Sequence, residues 1–256
     1  MSDGAEFFQG NNLRIGFYDL LFSHAANLAG EEDFYRTFTA GAESVLEAAC
    51  GSGRLFGSLS APGRLLAGFD ASEDLLRQAH RAYPAIPVSC QRLESFAFSR
   101  CFARIVLSYY GLSYILQPQG RISCFQRIAA HLTPDGRALV HVPAAAMLER
   151  DIPAAELAEL HGKRRIQTPD FTGTLTHRLE GNRLEPDGIR AMQYHFTLLD
   201  ANGATLAEER ATMRYAVLDA GDIEALAAMA GLRVLELRAG FAEEVDSELI
   251  VVLGRA

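Results

Sequence analysis

The chain has 256 residues, 49% hydrophobic and 22% charged, the balance of a soluble globular protein of one large domain or one domain plus an insertion. It contains no apolar run of about 18 residues, and Asp3, Glu6, Asn11, Arg14 and Asp19 interrupt its first apolar positions, so neither a membrane span nor a signal peptide is expected and the cytosol is the expected location. The net charge of −8 is spread along the chain and its one basic cluster, Lys163-Arg164-Arg165, reads as a solvated loop, so nucleic acid is not an expected partner.

In chain order, Glu6 to Thr39 reads as two helices carrying Phe7, Phe8, Phe17, Tyr18, Phe22, Phe34, Tyr35 and Phe38, mostly for packing, with a lid helix able to present one or two of them to a ligand. From residue 44 short β-type runs alternate with helices, the pattern of a mostly parallel sheet covered on both faces. The strands fall at Ser44–Ala49, Leu65–Phe69, Pro87–Cys90, Arg104–Tyr109 and Arg137–Val142, with two more at Arg233–Ala239 and Glu248–Leu253. Helices fill Ser72–Ala82, Gly120–His131 and Asp219–Ala230, and Thr133-Pro134-Asp135-Gly136 is a turn by composition.

Between Pro143 and Val217 the alternation breaks. A helical stretch at Ala154–His161 precedes runs at Thr172–Glu180, Arg190–Leu199 and Ala204–Val217, an antiparallel meander with turns at Glu185-Pro186-Asp187-Gly188 and Asn202-Gly203. Inserted after the fifth parallel strand, it would sit over the sheet edge where open α/β folds bind ligands. The expected fold is therefore a Rossmann-like seven-stranded mostly parallel sheet with helices on both faces. Its expected parts are an N-terminal helical lid (1–40), a ligand-binding core (41–143 and 217–256) and an inserted antiparallel substrate cover (144–216).

The four cysteines, Cys50, Cys90, Cys101 and Cys124, lack zinc-site spacing and are expected reduced, and no metal site is read. The informative stretch is Val45-Leu46-Glu47-Ala48-Ala49-Cys50-Gly51-Ser52-Gly53-Arg54-Leu55, an apolar strand running into a glycine turn and a helix. Without a Cβ, Gly51 and Gly53 let the backbone bend sharply beside a ligand, and the helix start offers free N–H groups. Asp70, seventeen positions beyond Gly53, puts a carboxylate at the second strand tip, where a ribose diol would sit. The third glycine of a dinucleotide fingerprint is absent, since Arg54-Leu55-Phe56 separate Gly53 from Gly57. The bland reading of Asp70 is a turn or cap residue before the helix at Ser72.

Glu47 to Leu55, together with Gly68-Phe69-Asp70-Ala71-Ser72, resembles class I S-adenosylmethionine-dependent methyltransferases of the small-molecule type. The resemblance extends over Ile105 to Gly111, Leu132 to Arg137 and Ala230-Gly231-Leu232. It implies S-adenosylmethionine as cofactor, with Glu47 receiving the methionine ammonium and Ala49, Gly51 and Gly53 lining methionine and ribose. By the same likeness Asp70 takes the ribose, Ala71 and Gln91-Arg92-Leu93 meet the adenine, Ser108 closes the fourth strand tip, and Tyr18 covers the cofactor. Three positions depart from the pattern: Ala49 for the usual glycine, Gln91 for aspartate, and Ala103-Arg104 for a Phe-Asp pair.

Methyl transfer from a sulfonium is an in-line displacement, so alignment matters more than a strong base. A nitrogen or oxygen of a small molecule is the expected acceptor, and Tyr109, Tyr110 and His141 are the candidate catalytic residues at the sheet edge. The tyrosines read equally as packing, and His141 as a buried histidine bonded to a backbone carbonyl. In the meander His195 faces opposite to Tyr194, Phe196 and Leu198, which suggests a surface or interface role, and Arg190, Arg210 and Arg214 either hold an anionic group or pair with acids such as Glu208 and Glu209. The antiparallel strands also offer a route to a homodimer. Two other functions fit the same motif: an enzyme that transfers or cyclises the aminocarboxypropyl chain and releases methylthioadenosine, and a catalytically silent cofactor-binding protein.

Overall fold

The computed structural model describes residues 8, 10, 12–18, 20, 28–157, 161–167, 171–241 and 247–256. One helical turn, α1 (Leu13–Gly16), and helix α2 (Glu31–Phe38) precede β1 (Ser44–Ala48), α3 (Phe56–Leu59), β2 (Leu65–Asp70), α4 (Glu73–Ala82), β3 (Val88–Cys90), β4 (Phe102–Leu107), α5 (Pro118–His131) and β5 (Leu132–Pro143). Phe7 and Phe22 lie outside the described residues. The short helices α6 (Ala145–Glu149) and α7 (Ala154–Leu157) lead into β6 (His161–Gln167), β7 (Thr172–Leu184), β8 (Ile189–Asp200) and β9 (Thr205–Ala216). Helix α8 (Ala220–Met229), β10 (Leu232–Arg238) and β11 (Glu248–Arg255) close the chain.

The first sheet has seven strands in the order β10-β11-β5-β4-β1-β2-β3. All neighbours from β5 to β3 are parallel, while β11 runs antiparallel to both β5 and β10. The fold class expected from the sequence is the one found. Strands β1, β4 and β5 are covered on both faces and accordingly read as apolar runs. Phe125, Ile128, Ile223 and Leu226 from α5 and α8 seal one face, and Tyr35, Phe56, Leu59, Leu76 and Ala79 from α2, α3 and α4 seal the other. Two helix starts are fixed as their sequences suggest. The Ser72 hydroxyl accepts from the Leu75 N–H at 3.3 Å, and Asp219 and Asp222 form a reciprocal capping box.

The second sheet, β6-β7-β8-β9, is an antiparallel meander. It corrects the sequence reading at its first strand. Residues 161–167 are extended and pair with β7, whereas the sequence pattern suggests a helix ending at His161 and a solvated loop at Lys163-Arg164-Arg165. Ile166 supplies the reason: it is buried among the apolar residues of the sheet's inner face, an anchor that the basic triplet hides. The turn expected at 133–136 also lies within a strand. Pairing between β4 and β5 jumps from Phe102↔Leu132 to Arg104↔Arg137, so these residues bulge out of the ladder instead of ending it.

Candidate active site

The strand order reverses between β1 and β4, and the crevice at such a point is where an open α/β sheet takes ligands. A pocket of about 880 Å³ opens there. Tyr18, Glu47, Ala49, Asp70, Ala71, Gln91, Arg92, Leu93 and Ser108 line it, so nine of the expected cofactor residues are brought together. Gly51 and Gly53 are not among its lining residues but shape the turn beside it. Both have positive φ, +54° and +77°, and a Cβ on Gly53 would stand 2.7 Å from the Phe56 ring.

Glu47 is the anomaly of β1, an acid at 1% exposure in the central strand. The Ser108 hydroxyl donates to its Oε1 at 3.5 Å, the outer limit of a hydrogen bond, and its buried Oε2 has no hydrogen-bond partner among the described residues. Burial pushes its pKa up to about 8; Arg54 opposes this, and Glu31 and Asp70 add to it. A buried carboxylate with an unmet oxygen is costly unless a cationic donor arrives, which fits an ammonium ligand.

Asp70 is tied into the turn. Its Oδ2 accepts from the Gly51 N–H and its Oδ1 from the Ser72 N–H, each at 2.8 Å. Burial raises its pKa while those N–H bonds draw it down. The turn-holding reading thus stands beside the ligand reading: with the Ala71 N–H also bonded, three of the carboxylate's roughly four acceptor sites hold the turn and about one is left for a ligand. Gln91 is also engaged: its amide nitrogen donates to Ser89 Oγ at 2.9 Å and its oxygen accepts from the Ala97 N–H at 2.8 Å. Arg92 pairs with Glu94 at 3.0 Å.

A second chamber of about 950 Å³ lies beneath the meander. Met192, Tyr194, Met213 and Tyr215 from the second sheet form much of its wall, with His177 beside them. Tyr109 borders both spaces, stacked on Tyr110 with ring centroids 4.9 Å apart and facing the Arg54 guanidinium at 5.7 Å. Tyr109 and Tyr110 also have positive φ, +42° and +67°.

The expectation for His141 needs correction. It lines neither space, is fully buried, and has both ring nitrogens engaged: Nδ1 accepts from the Tyr109 N–H at 3.3 Å, and Nε2 meets Glu248 Oε2 at 2.6 Å. A residue of a doubly covered strand is carried into the core even close to the strand's end, and the partner is a carboxylate where the sequence suggested a carbonyl. The Tyr110 hydroxyl is likewise directed inward, donating to Glu248 Oε1 at 2.8 Å.

The meander arginines are structural. Arg190, 1% exposed, donates to the Leu148 carbonyl, to Asn182 at 2.7 Å and to Asp151 at 3.1 Å; Arg210 pairs with Glu180 and Arg214 with Glu185. His195 does lie on the row opposite Tyr194 and Phe196, yet Glu180 and Glu208, each at 3.2 Å, enclose it to 7% exposure, so of the expected surface or interface roles the exposed one is not found.

Sequence reasoning missed Glu248 and the pair Arg54–Glu31, whose two contacts measure 2.5 and 3.1 Å. The available signal for Glu248 was an acid opening the apolar run Leu249 to Leu253. For Arg54 it was a charge directly after the last glycine of the turn.

Residues 45–136 match the model of a methyltransferase domain. Over 128 residues the chain is 27% identical to a dTDP-3-amino-3,4,6-trideoxy-alpha-D-glucopyranose N,N-dimethyltransferase from Streptomyces venezuelae, an alignment covering 48% of this chain and 54% of that one, about half the length of the relative. An S-adenosylmethionine-dependent methyltransferase from Clostridium acetobutylicum shares the fold with a TM-score of 0.75 and 17% identity, over 94% of this chain and 97% of that one. A sugar N-methyltransferase from a Streptoalloteichus species does so with a TM-score of 0.74 and 20% identity, over 93% of each. The matched domain runs from β1 through the bulge of β5 and so contains both strand-tip acids and the turn between them. With that match at its centre, the chain carries a methyltransferase domain at residues 45–136, on a fold shared with S-adenosylmethionine-dependent methyltransferases.

Proposed function

We propose that the protein transfers the methyl group of S-adenosylmethionine to the amine of a small molecule of the amino-sugar class. The observation that carries this reading is Glu47: a buried acid with an unmet oxygen, in a pocket that shares one wall, Tyr109, with a second chamber. In this reading residues 41–143 and 217–256 hold the cofactor and residues 144–216 cover the acceptor. Glu47 accepts the ammonium, Asp70 the ribose hydroxyls, and Ala71 with Gln91-Arg92-Leu93 borders the adenine, while Tyr18 covers the pocket from the N-terminal side. When bound, the cofactor supplies an activated methyl on a sulfonium, and the chain's own task is alignment and exclusion of water.

The chamber favours an amine over a hydroxyl. Burial raises the pKa of Tyr109, Tyr110 and Tyr215 and pushes Tyr194 up to about 12, so these phenols keep their protons at neutral pH and cannot serve as bases. A neutral amine attacks without a base at all, whereas a hydroxyl acceptor would have to draw on the His177 imidazole in the same wall. The acceptors printed for the relatives, an amino-sugar nucleotide and a sugar, have this chemistry.

The test is to titrate the protein with S-adenosylmethionine by calorimetry, then incubate it with dTDP-3-amino-3,4,6-trideoxy-α-D-glucopyranose and analyse the products by mass spectrometry. Adenosylhomocysteine and methylated amine in equal amounts are expected. Methylthioadenosine would instead identify transfer or cyclisation of the aminocarboxypropyl chain, and tight binding with no turnover of any amino-sugar acceptor would identify a silent binder.

A further inference from the structure

We infer that Glu248, on the last strand and outside both spaces, is a positioning residue that fixes Tyr109 between them by setting the tautomer of His141. The inference rests on the proposed methyl transfer for its functional meaning but not for its chemistry. Glu248 and His141 lie on neighbouring strands, with His141 opposite Ile250 and Glu248 opposite Pro143, so both side chains project from the same face two positions apart. Glu248, 1% exposed, accepts at both oxygens, from the Tyr110 hydroxyl at 2.8 Å and from the imidazole at 2.6 Å.

A carboxylate oxygen can only accept from the imidazole's Nε2–H, and the Tyr109 N–H at 3.3 Å requires a lone pair on Nδ1. Both demands select one neutral tautomer. The His141 carbonyl takes the next N–H, that of Tyr110, at 3.0 Å. One histidine therefore binds two consecutive backbone N–H groups in a segment where two successive non-glycine residues hold positive φ. Glu248 also grips the Tyr110 ring on which Tyr109 stacks. The chain Glu248, His141, Tyr109 thus leads from the closing strand to the shared wall, and Tyr110 provides a parallel link.

Glu248→Gln separates these links. An amide can accept from Tyr110 with its oxygen, but its N–H₂ then faces Nε2 and calls for the other tautomer, whose Nδ1–H opposes the Tyr109 N–H. In ¹⁵N-labelled protein, long-range imidazole correlation spectra should show His141 as the Nε2–H tautomer in the wild type and altered in Glu248→Gln. Tyr110→Phe, which removes only the phenol, should retain Nε2–H. With the same amino-sugar nucleotide as acceptor, Glu248→Gln should lower kcat on the order of 10–100-fold, the penalty of a wall displaced by about an ångström. KM for S-adenosylmethionine should change less than kcat, because Tyr109 is one wall residue of the cofactor pocket and the residues at the β1, β2 and β3 tips stay in place.

An Nδ1–H tautomer in the wild type would overturn the inference even if no variant folded. So would an unchanged kcat in a folded Glu248→Gln, or a loss confined to KM. A wild type with the expected tautomer and no methyl transfer would instead sink the proposed function and leave the assigned hydrogen bonds standing.

Discussion

Two neighbouring strands end at the same edge in left-handed backbone, and they hold that conformation by different means. After β1 the chain passes through Ala49, Gly51 and Gly53, two of the three being residues without a Cβ. After β4 it passes through Tyr109 and Tyr110, where left-handed geometry costs roughly 1–2 kcal/mol per residue. The second turn is stabilised by the buried carboxylate of Glu248, a charged acceptor whose bonds from the Tyr110 hydroxyl and the His141 ring contribute about 1.5–3 kcal/mol each. One turn is permitted by composition; the other is imposed by tertiary contacts. Aromatic side chains can stand at the second because glycine is not needed there, and that puts a large planar ring between the two cavities.

The sharpest way to break the first turn is Gly53→Ala. The left-handed penalty of about 1–2 kcal/mol adds to overpacking of about 1–3 kcal/mol, since the new methyl would stand 2.7 Å from the Phe56 ring. Urea denaturation should show a loss of about 2–5 kcal/mol. A loss below about 1 kcal/mol would mean that Phe56 turns aside freely and that the turn is not sterically fixed.

A second, smaller effect comes from Glu47, beside the first turn. Its folded pKa of about 8 lies above the ordinary 4.5, so the folded protein keeps a proton that the unfolded chain releases. The apo protein is therefore most stable below about pH 4.5 with respect to this group and loses stability as pH rises through 8, at no more than about 1.4 kcal/mol per unit. Glu47→Gln should remove that slope and stabilise the apo protein at pH 8 by about 1–2 kcal/mol, the gain being limited because the amide is itself buried with an unmet group. It should also weaken S-adenosylmethionine binding at least about tenfold, the scale of one lost charge-assisted bond. Unchanged affinity would remove Glu47 from the ammonium site.

The two turns also show what a sequence displays and what it hides. The glycine turn, Asp70 and the alternating runs were legible because each rests on local chemistry: a missing Cβ, a strand-tip acid, a period of burial. Strand β6 was not, because Ile166 is its one buried residue among those whose burial is described, set among basic neighbours. His141 reads either as a base or as a buried histidine because its strand ends near the site, and only the register of β11 against β5 reveals that Glu248 lies beside it. Glu248 is separated from Tyr110 by 138 positions, a pairing no local pattern encodes.

Ala49→Gly tests whether the two turns are independent, with the smallest effect. Ala49 has φ +56°, so glycine relieves about 1–2 kcal/mol of left-handed strain and costs about 0.5–1 kcal/mol in unfolded-chain entropy. The net expectation is a gain of about 0.5 kcal/mol, read as a raised urea midpoint at constant slope. The Ala49 methyl, however, faces Gly111, directly after the tyrosine pair, at 3.3 Å from where a Cβ there would stand. If stability falls instead, that methyl supports the second turn, and the tyrosines owe part of their position to the first turn as well as to Glu248. A raised midpoint with unaltered kcat would show that the first turn supplies the pocket, the second supplies the wall, and neither needs the other's side chains.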